Sequence, residues 1–235
     1  MTSTTQKKSD RTRARILQES LILFQERGFE NTTMRAIAEA SGLSLGAAYY
    51  YFKTKEDLVL HYYTESAREM ETQCGTIRET SQDFKDRFRA LLDAKHQQLL
   101  PVRTFIGVLV RQAGELKHPL SPFSTETRSL REEAIGQIES LIEGSSLRVS
   151  RVLRPQLAKL FWVYQLGIVL FWINDPSKEQ ARTQQLIGLS LDLVLGLLKL
   201  TTLPMMGRLN ESVLQVIRLV ESCTASDNQE ERVDA

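Results

Sequence analysis

Apolar residues recur at helical spacing along almost the whole of this 235-residue chain, and no run alternates apolar with polar residues as a half-buried strand would. The pattern requires an all-α fold of packed helices. The first helix is expected to take Ser9 as its N-cap and to run to Arg27. Its apolar face carries Ile16, Leu17, Ser20, Leu21, Leu23 and Phe24, and Gly28 stops it. Thr33 opens a short helix, "MRAIAEA", which Ser41-Gly42 breaks, and Ser44 opens another through Tyr51. Thr54-Lys55-Glu56-Asp57 has the form of a capping box and starts a longer fourth helix. Beyond it the periodicity gives helices over 82–100, 102–116, 124–143, 155–173, 179–200 and 209–220. Pro101, the loop "KHPLSPFS", Gly144, "NDPS" and Pro204 to Gly207 separate them. Ser177-Lys178-Glu179-Gln180 reads as a second capping box, for the helix 179–200. The tail from Thr224 is polar and acidic and is expected to be disordered.

Charge is informative only locally. The net charge of +1 rules out a polycation, yet residues 1–15 hold Lys7, Lys8, Arg11, Arg13 and Arg15 against the single acid Asp10. Such a basic arm suits a phosphate backbone, and equally a solvated terminus. Cys74 and Cys223 lie in no metal-ligand spacing and read as thiols of a reducing compartment. The N-terminus lacks the apolar stretch of a signal peptide. The apolar runs 160–173 and 186–200 are shorter than the roughly 20 residues that span a bilayer. A soluble, cytoplasmic protein is therefore expected, with no membrane partner. Phosphate-loop, dinucleotide, zinc-protease and C-x-x-C fingerprints are absent from the sequence, so no cofactor, metal site or catalytic residue is expected.

The stretch "ASGLSLGAAYYYF", residues 40–52, fits two different chemistries. Gly42-Leu43-Ser44-Leu45-Gly46 matches G-x-S-x-G, the elbow that exposes a nucleophilic serine in serine hydrolases. That elbow needs a strand before the serine, whereas "TTMRAIAEAS" is amphipathic at helical spacing. His61, His96 and His118 sit in no motif that marks a base. A helix-turn-helix accounts for every residue instead. Thr33 caps the first helix, Ala38 is small at the helix crossing, and Gly42 takes a positive φ in the turn. Leu43 then plugs the angle between the helices, and Ser44 caps the second helix, whose first turn is Leu45, Gly46 and Ala47.

From "RILQESLILFQERGFENTTMRAIAEASGLSLGAAYYYFKTKEDLVLHYY" the chain resembles the N-terminal domain of TetR-type bacterial regulators over roughly fifty residues. The marks are Phe24, Gly28-Phe29, Thr32-Thr33, Ile37-Ala38, Gly42-Leu43-Ser44, Tyr49 through Phe52, and Lys55-Glu56-Asp57-Leu58. The resemblance implies a sequence-specific, double-stranded DNA-binding transcriptional regulator, a repressor released from a palindromic operator by a small-molecule effector. It also implies roles by position. Thr33, Arg35 and Lys55 would contact phosphate, Leu45, Gly46 and Ala47 would face bases, Tyr49 and Tyr50 would lie along backbone and groove, and Ser44 would cap and contact. Leu45 with Gly46 and Ala47 offers bases few hydrogen-bond donors, which favours contact with thymine methyls or readout of DNA shape.

The implied architecture is an N-terminal three-helix helix-turn-helix domain over 1–58, a larger helical ligand-binding and dimerisation domain over 59–223, and a tail over 224–235. Independently of the resemblance, helices 155–173 and 179–200 are apolar nearly all round, and such helices must be buried on every side. A homodimer that packs these two helices against their symmetry mates meets that requirement. An apolar or aromatic effector is expected near His96, Arg103, Phe105, Gln112, Trp162, Tyr164 and Gln165. The competing reading is a ligand-insensitive DNA-binding or adaptor protein of the same fold.

Overall fold

The computed structural model describes residues 2–112, 118–208, 210–215 and 217–218. Among them there is no strand. The helices are α1 (Thr2–Arg27), α2 (Met34–Ala40), α3 (Leu45–Tyr51), α4 (Lys55–Thr80), α5 (Phe84–Leu99), α6 (Arg103–Gln112), α7 (Arg128–Ile142), α8 (Leu157–Asn174) and α9 (Ala181–Leu200). The chain forms two compact units. One comprises Met1–Gln73 and Asp93–Ala134, the other Cys74–Leu92 and Ile135–Ala235.

The first unit has its core where α1 meets α2 and α6. Phe24 stacks on Phe105 with ring centres 5.1 Å apart and touches Phe29 at the same distance, and Ile16, Ile37 and Leu58 are fully buried. Gly28 ends α1 with φ +81, the left-handed conformation that glycine adopts without penalty. The start of α1 differs from the expectation: the helix begins at Thr2, and Ser9 lies inside it. Lys7, Lys8 and Arg11 are straight-chain helix formers and nothing before them breaks the helix, so one favourable cap does not determine its start.

In the second unit Phe84, Phe88 and Phe161 make an aromatic cluster, with ring centres 4.7–5.6 Å apart, and Trp172, Ile187 and Leu191 extend the core. Arg87 is buried in it, and among the described residues no carboxylate pairs with it. Its guanidinium donates to the carbonyls of Ser81 (2.6 Å), Arg78 (3.1 Å), Leu141 (3.0 Å) and Glu143 (2.9 Å). These acceptors close the C-terminal ends of α4 and α7, which no helical N–H can satisfy.

Two further expectations need correction. Ser124 does not open α7, which starts at Arg128. Ser124 and Thr127 instead bond each other and the turn before them, and Arg131 closes that turn by donating to the Pro122 carbonyl at 2.8 Å. Ser177 does not make a capping box either. Its hydroxyl donates to Asp175 at 2.6 Å while its oxygen accepts from the Arg182 N–H at 3.1 Å, and the other Asp175 oxygen joins the cap of α9 by accepting from the Thr183 N–H (2.8 Å) and hydroxyl (2.7 Å). Burial alone would raise the Asp175 pKa, but the hydrogen bonds from Ser177 and Thr183 outweigh it and hold the carboxyl well below the usual carboxylate range. Glu179 and Gln180, at φ 53 and 54, turn the chain between this cap and α9.

The helical stretches Arg154–Asn174 and Lys178–Leu200 run 21 and 23 residues, and an 18-residue window within each has mean hydropathy 1.4 and 1.2. By length and composition they match membrane helices, contrary to the reading from the apolar runs alone. α8 nevertheless buries Leu157, Phe161, Trp162, Gln165, Ile168 and Trp172 within its own chain. What it leaves outside is a stripe of Leu160, Val163, Leu170 and Phe171. α9 likewise exposes Leu189, Leu193, Leu197 and Leu200. The last helix, expected over 209–220, is helical at the described positions 210–215 and 217–218, and the tail lies outside the described residues.

Candidate nucleic-acid interface

The segment between Arg27 and Thr54 is built almost entirely from local hydrogen bonds. The Thr32 hydroxyl donates to the carbonyls of Gly28 (2.8 Å) and Leu23 (3.2 Å), fixing the entry turn. Thr33 caps α2 by accepting from the Ala36 N–H at 3.2 Å. The link to α3 is a tight turn in which the Leu43 N–H reaches back to the Ala38 carbonyl at 2.9 Å and Gly42 stands at φ +63. Ser44 then caps α3 by accepting from the Ala47 N–H, again at 3.2 Å. The question posed by the G-x-S-x-G pattern is thereby answered on geometry: the serine is preceded by a helix and a turn, and its oxygen is occupied by a backbone donor. Thr54 and Asp57 cap α4 reciprocally, at 3.0 Å in each direction, and Asp57 also accepts from the Lys53 N–H.

These constraints give α2 and α3 one inner and one outer face. Ala38 and Ala48 are fully buried, which lets the two short helices pack closely, and Phe52 is buried behind them against His61 at 5.5 Å. Thr33, Arg35, Ser44 and Gly46 are exposed, and Leu45 and Ala47 are half-buried. Tyr49 and Tyr50 project outward, Tyr50 with 78% of its surface accessible. Its ring meets the Tyr51 ring edge-on with centres 5.3 Å apart, and so large an exposed aromatic surface suits a partner.

Lys55 sits differently from a freely available phosphate ligand. Its ammonium donates to the Phe29 carbonyl at 2.8 Å, lies 4.2 Å from the Phe29 ring centre, and stands 3.7 Å from the Glu30 carboxylate. It ties the start of α4 to the turn between α1 and α2, with 21% of its side chain exposed. No sequence signal shows this contact, because its partners lie 25–26 residues upstream.

The residues expected near an effector fall in both units. In the first, His96 and Phe105 are buried and Arg103 is half-buried, while the Gln112 side chain lies outside the described residues. Burial holds His96 below its ordinary pKa, with Asp93 opposing. In the second, Trp162 and Gln165 are buried on α8. The Tyr164 hydroxyl shares a 2.7 Å hydrogen bond with Ser190. Tyr164 also borders a cavity of about 220 Å³ between α8 and α9, otherwise lined by Leu157, Leu160, Phe161, Val194 and Leu198.

Comparison with known proteins agrees with this geometry. Residues 16–62 match the family described as "Bacterial regulatory proteins, tetR family", and residues 87–212 match "Tetracyclin repressor-like, C-terminal domain". The chain is 26% identical to the HTH-type transcriptional regulator TtgR of Pseudomonas putida over 191 residues, covering 75% of this chain and 87% of that one. It is 30% identical to the HTH-type transcriptional repressor KstR2 of Rhodococcus jostii over 143 residues, covering 58% and 68%. Among solved structures, the fatty acid degradation regulator FadR of Bacillus halodurans superposes with a TM-score of 0.59 at 16% identity, over 75% of this chain and 94% of that one. FadR of Thermus thermophilus, solved in complex with lauroyl-CoA, superposes with a TM-score of 0.52 at 22% identity, over 74% and 92%. With capped helices flanking a glycine turn, an outward aromatic pair and both domain matches in one chain, this protein belongs to the TetR family of helix-turn-helix transcriptional regulators.

Proposed function

We propose that this regulator is a cytoplasmic homodimeric repressor that reads a palindromic operator and is released from it by a small apolar or aromatic molecule. The observation that carries the DNA-reading part is the outer face of α3, where Tyr49 and Tyr50 stand exposed beside Leu45, Gly46 and Ala47. Thr33 and Arg35 flank this face as phosphate contacts, Ser44 holds the first turn of α3 in reading position, and Lys55 contributes from α4. Residues 1–58 act as the reading head, residues 59–223 carry effector binding and dimerisation, and 224–235 form a tail.

Dimerisation through 155–173 and 179–200 is supported by the outward stripes on α8 and α9. Leu189 is 67% and Leu193 63% exposed, so each protomer presents apolar surface that an identical surface would cover about a twofold axis. A twofold dimer sets two reading heads about one helical turn of DNA apart, or a multiple of it. The effector's character is supported by the leucine-lined cavity beside Tyr164 and by lauroyl-CoA in the Thermus FadR complex. Rounds of selection from random duplexes test the proposal. Enrichment of a palindrome supports it; steeply salt-dependent binding with no enriched sequence sinks operator reading. A thermal-shift screen of metabolites against the same protein separates the effector-released reading from a ligand-insensitive one.

A further inference from the structure

Outside the helix-turn-helix, the first third of α1 concentrates positive charge, exposed cations against the single acid Asp10. Lys7, Arg11 and Arg15 recur every fourth residue, and Lys8 lies beside them, so the four share one face of a continuous helix. All four are exposed. The core-facing positions Ile16, Ser20, Leu23 and Phe24 lie on the opposite side, so the basic face looks away from the protein. None of the four enters a salt bridge among the described residues. Arg13 is turned to another side, close enough to His61 to help lower its pKa, and His61 packs on Phe52, the residue that ends α3. α1 packs on α2 within the unit that also carries Tyr49 and Tyr50.

Resting on the DNA-binding reading above, we infer that the face Lys7–Lys8–Arg11–Arg15 is a second, sequence-independent DNA contact, which grips backbone phosphates flanking the base pairs read by α3. From Lys7 to Arg15 the helix rises about 12 Å, room for several phosphates along a strand. Because these charges sit on an ordered helix continuous with the core of the reading head, they meet DNA without the ordering cost that a flexible arm would carry. The bases stay the concern of α3, and the ridge supplies affinity and its salt dependence.

The test uses the full chain and its selected operator in two lengths, one with ten base pairs added on each side and one trimmed to the palindrome. Lys7→Gln, Lys8→Gln, Arg11→Gln and Arg15→Gln are combined, glutamine being a good helix former on an exposed face. On the long duplex the slope of log K against log salt should become shallower by roughly 0.9 for each phosphate the variant no longer neutralises, or about 3.6 per protomer if all four side chains engage. On the trimmed duplex the variant and the parent should differ little, and both should select the same palindrome. An unchanged slope on the long duplex overturns the inference, and so does an altered selected sequence, which would make the ridge a base reader. Stronger loss of binding to anionic lipid vesicles than to the long duplex overturns it in favour of a membrane surface. A parent protein that selects no palindrome, but whose salt slope on a random duplex of the long length becomes shallower in the variant, would remove operator reading and leave the ridge standing.

Discussion

Replacing Lys55 with methionine keeps the side chain's stem and removes its ammonium, and the contacts of that ammonium set the expected loss. A hydrogen bond from a charged donor, here to the Phe29 carbonyl at 2.8 Å, contributes roughly 1.5–3 kcal/mol. A cation over an aromatic ring adds about 0.5–1 kcal/mol where water still reaches it. The pair with Glu30 adds little, because that carboxylate is 66% exposed. Water takes over part of each contact when a residue is one-fifth accessible, so the net loss comes to about 1.5 kcal/mol. The turn holding Phe29 and the cap Thr33 should then open about tenfold more often. Amide hydrogen exchange over residues 28–34 measures this directly, with α8 as an internal control that should not change. A DNA-binding salt series run in parallel reports any phosphate contact, whose removal lowers the slope by roughly 0.9. Unchanged exchange would refute the argument. Unchanged exchange together with a shallower slope would show that Lys55 leaves the turn for phosphate without loss to the fold.

The outward ring of Tyr50 leads to a sharper separation of roles: Tyr50→Ala should change unfolding stability by less than about 0.5 kcal/mol while weakening operator binding about tenfold, and a stability loss with intact binding would return Tyr50 to the core. Ser44→Ala removes the cap of α3 and should lower stability by about 1 kcal/mol, seen as a lower denaturation midpoint with an unchanged denaturant slope; an unchanged midpoint would mean the cap contributes nothing. Leu193→Glu places a charge on the exposed stripe of α9 and should leave each protomer folded but monomeric at micromolar concentration, as read by sedimentation; a dimer of unchanged mass would move the interface elsewhere. Burial holds His96 below its ordinary pKa of 6.5, so in acid the unfolded chain takes up a proton that the folded chain refuses. Stability should therefore fall as pH drops below about 6.5 and level off once the folded histidine protonates. His96→Gln should flatten that limb below about pH 6.5 in urea titrations, and an identical limb would assign it to other groups, His61 first, since burial lowers its pKa as well.

Features decided within a few residues were legible in the sequence. Thr33, Ser44 and the Thr54–Asp57 pair each cap a helix three residues away, and Gly28 and Gly42 take the positive φ that their turns demand. Reading failed where a nearby competitor or a distant partner decided the outcome. Ser177 satisfies the capping pattern, but Asp175 two residues earlier claims its hydroxyl and reaches eight residues forward to Thr183. The contacts Lys55 makes within the fold are hidden from local reading too, because the Phe29 carbonyl lies 26 residues back. Arg87 sits in an ordinary amphipathic helix, and nothing local reveals that its acceptors lie 54 and 56 residues further on. The outer face of α3 was legible because every residue on it is fixed by the cap before it and by the buried Ala48 behind it.

The Arg87 knot has a consequence for how the protein ages in acid. Asp175 caps α9 with a carboxylate whose stabilising effect is complete above the usual carboxylate pKa and disappears as pH falls through its lowered value. His96 begins to weaken the folded state earlier, nearer neutrality. The joint between the ends of α4 and α7 is made of a guanidinium and four backbone carbonyls, and neither kind of group changes its proton count in acid. As acidity rises, protonation should therefore act on His96, His61 and the Asp175 cap, while the hydrogen bonds that pair the ends of α4 and α7 lose nothing to it.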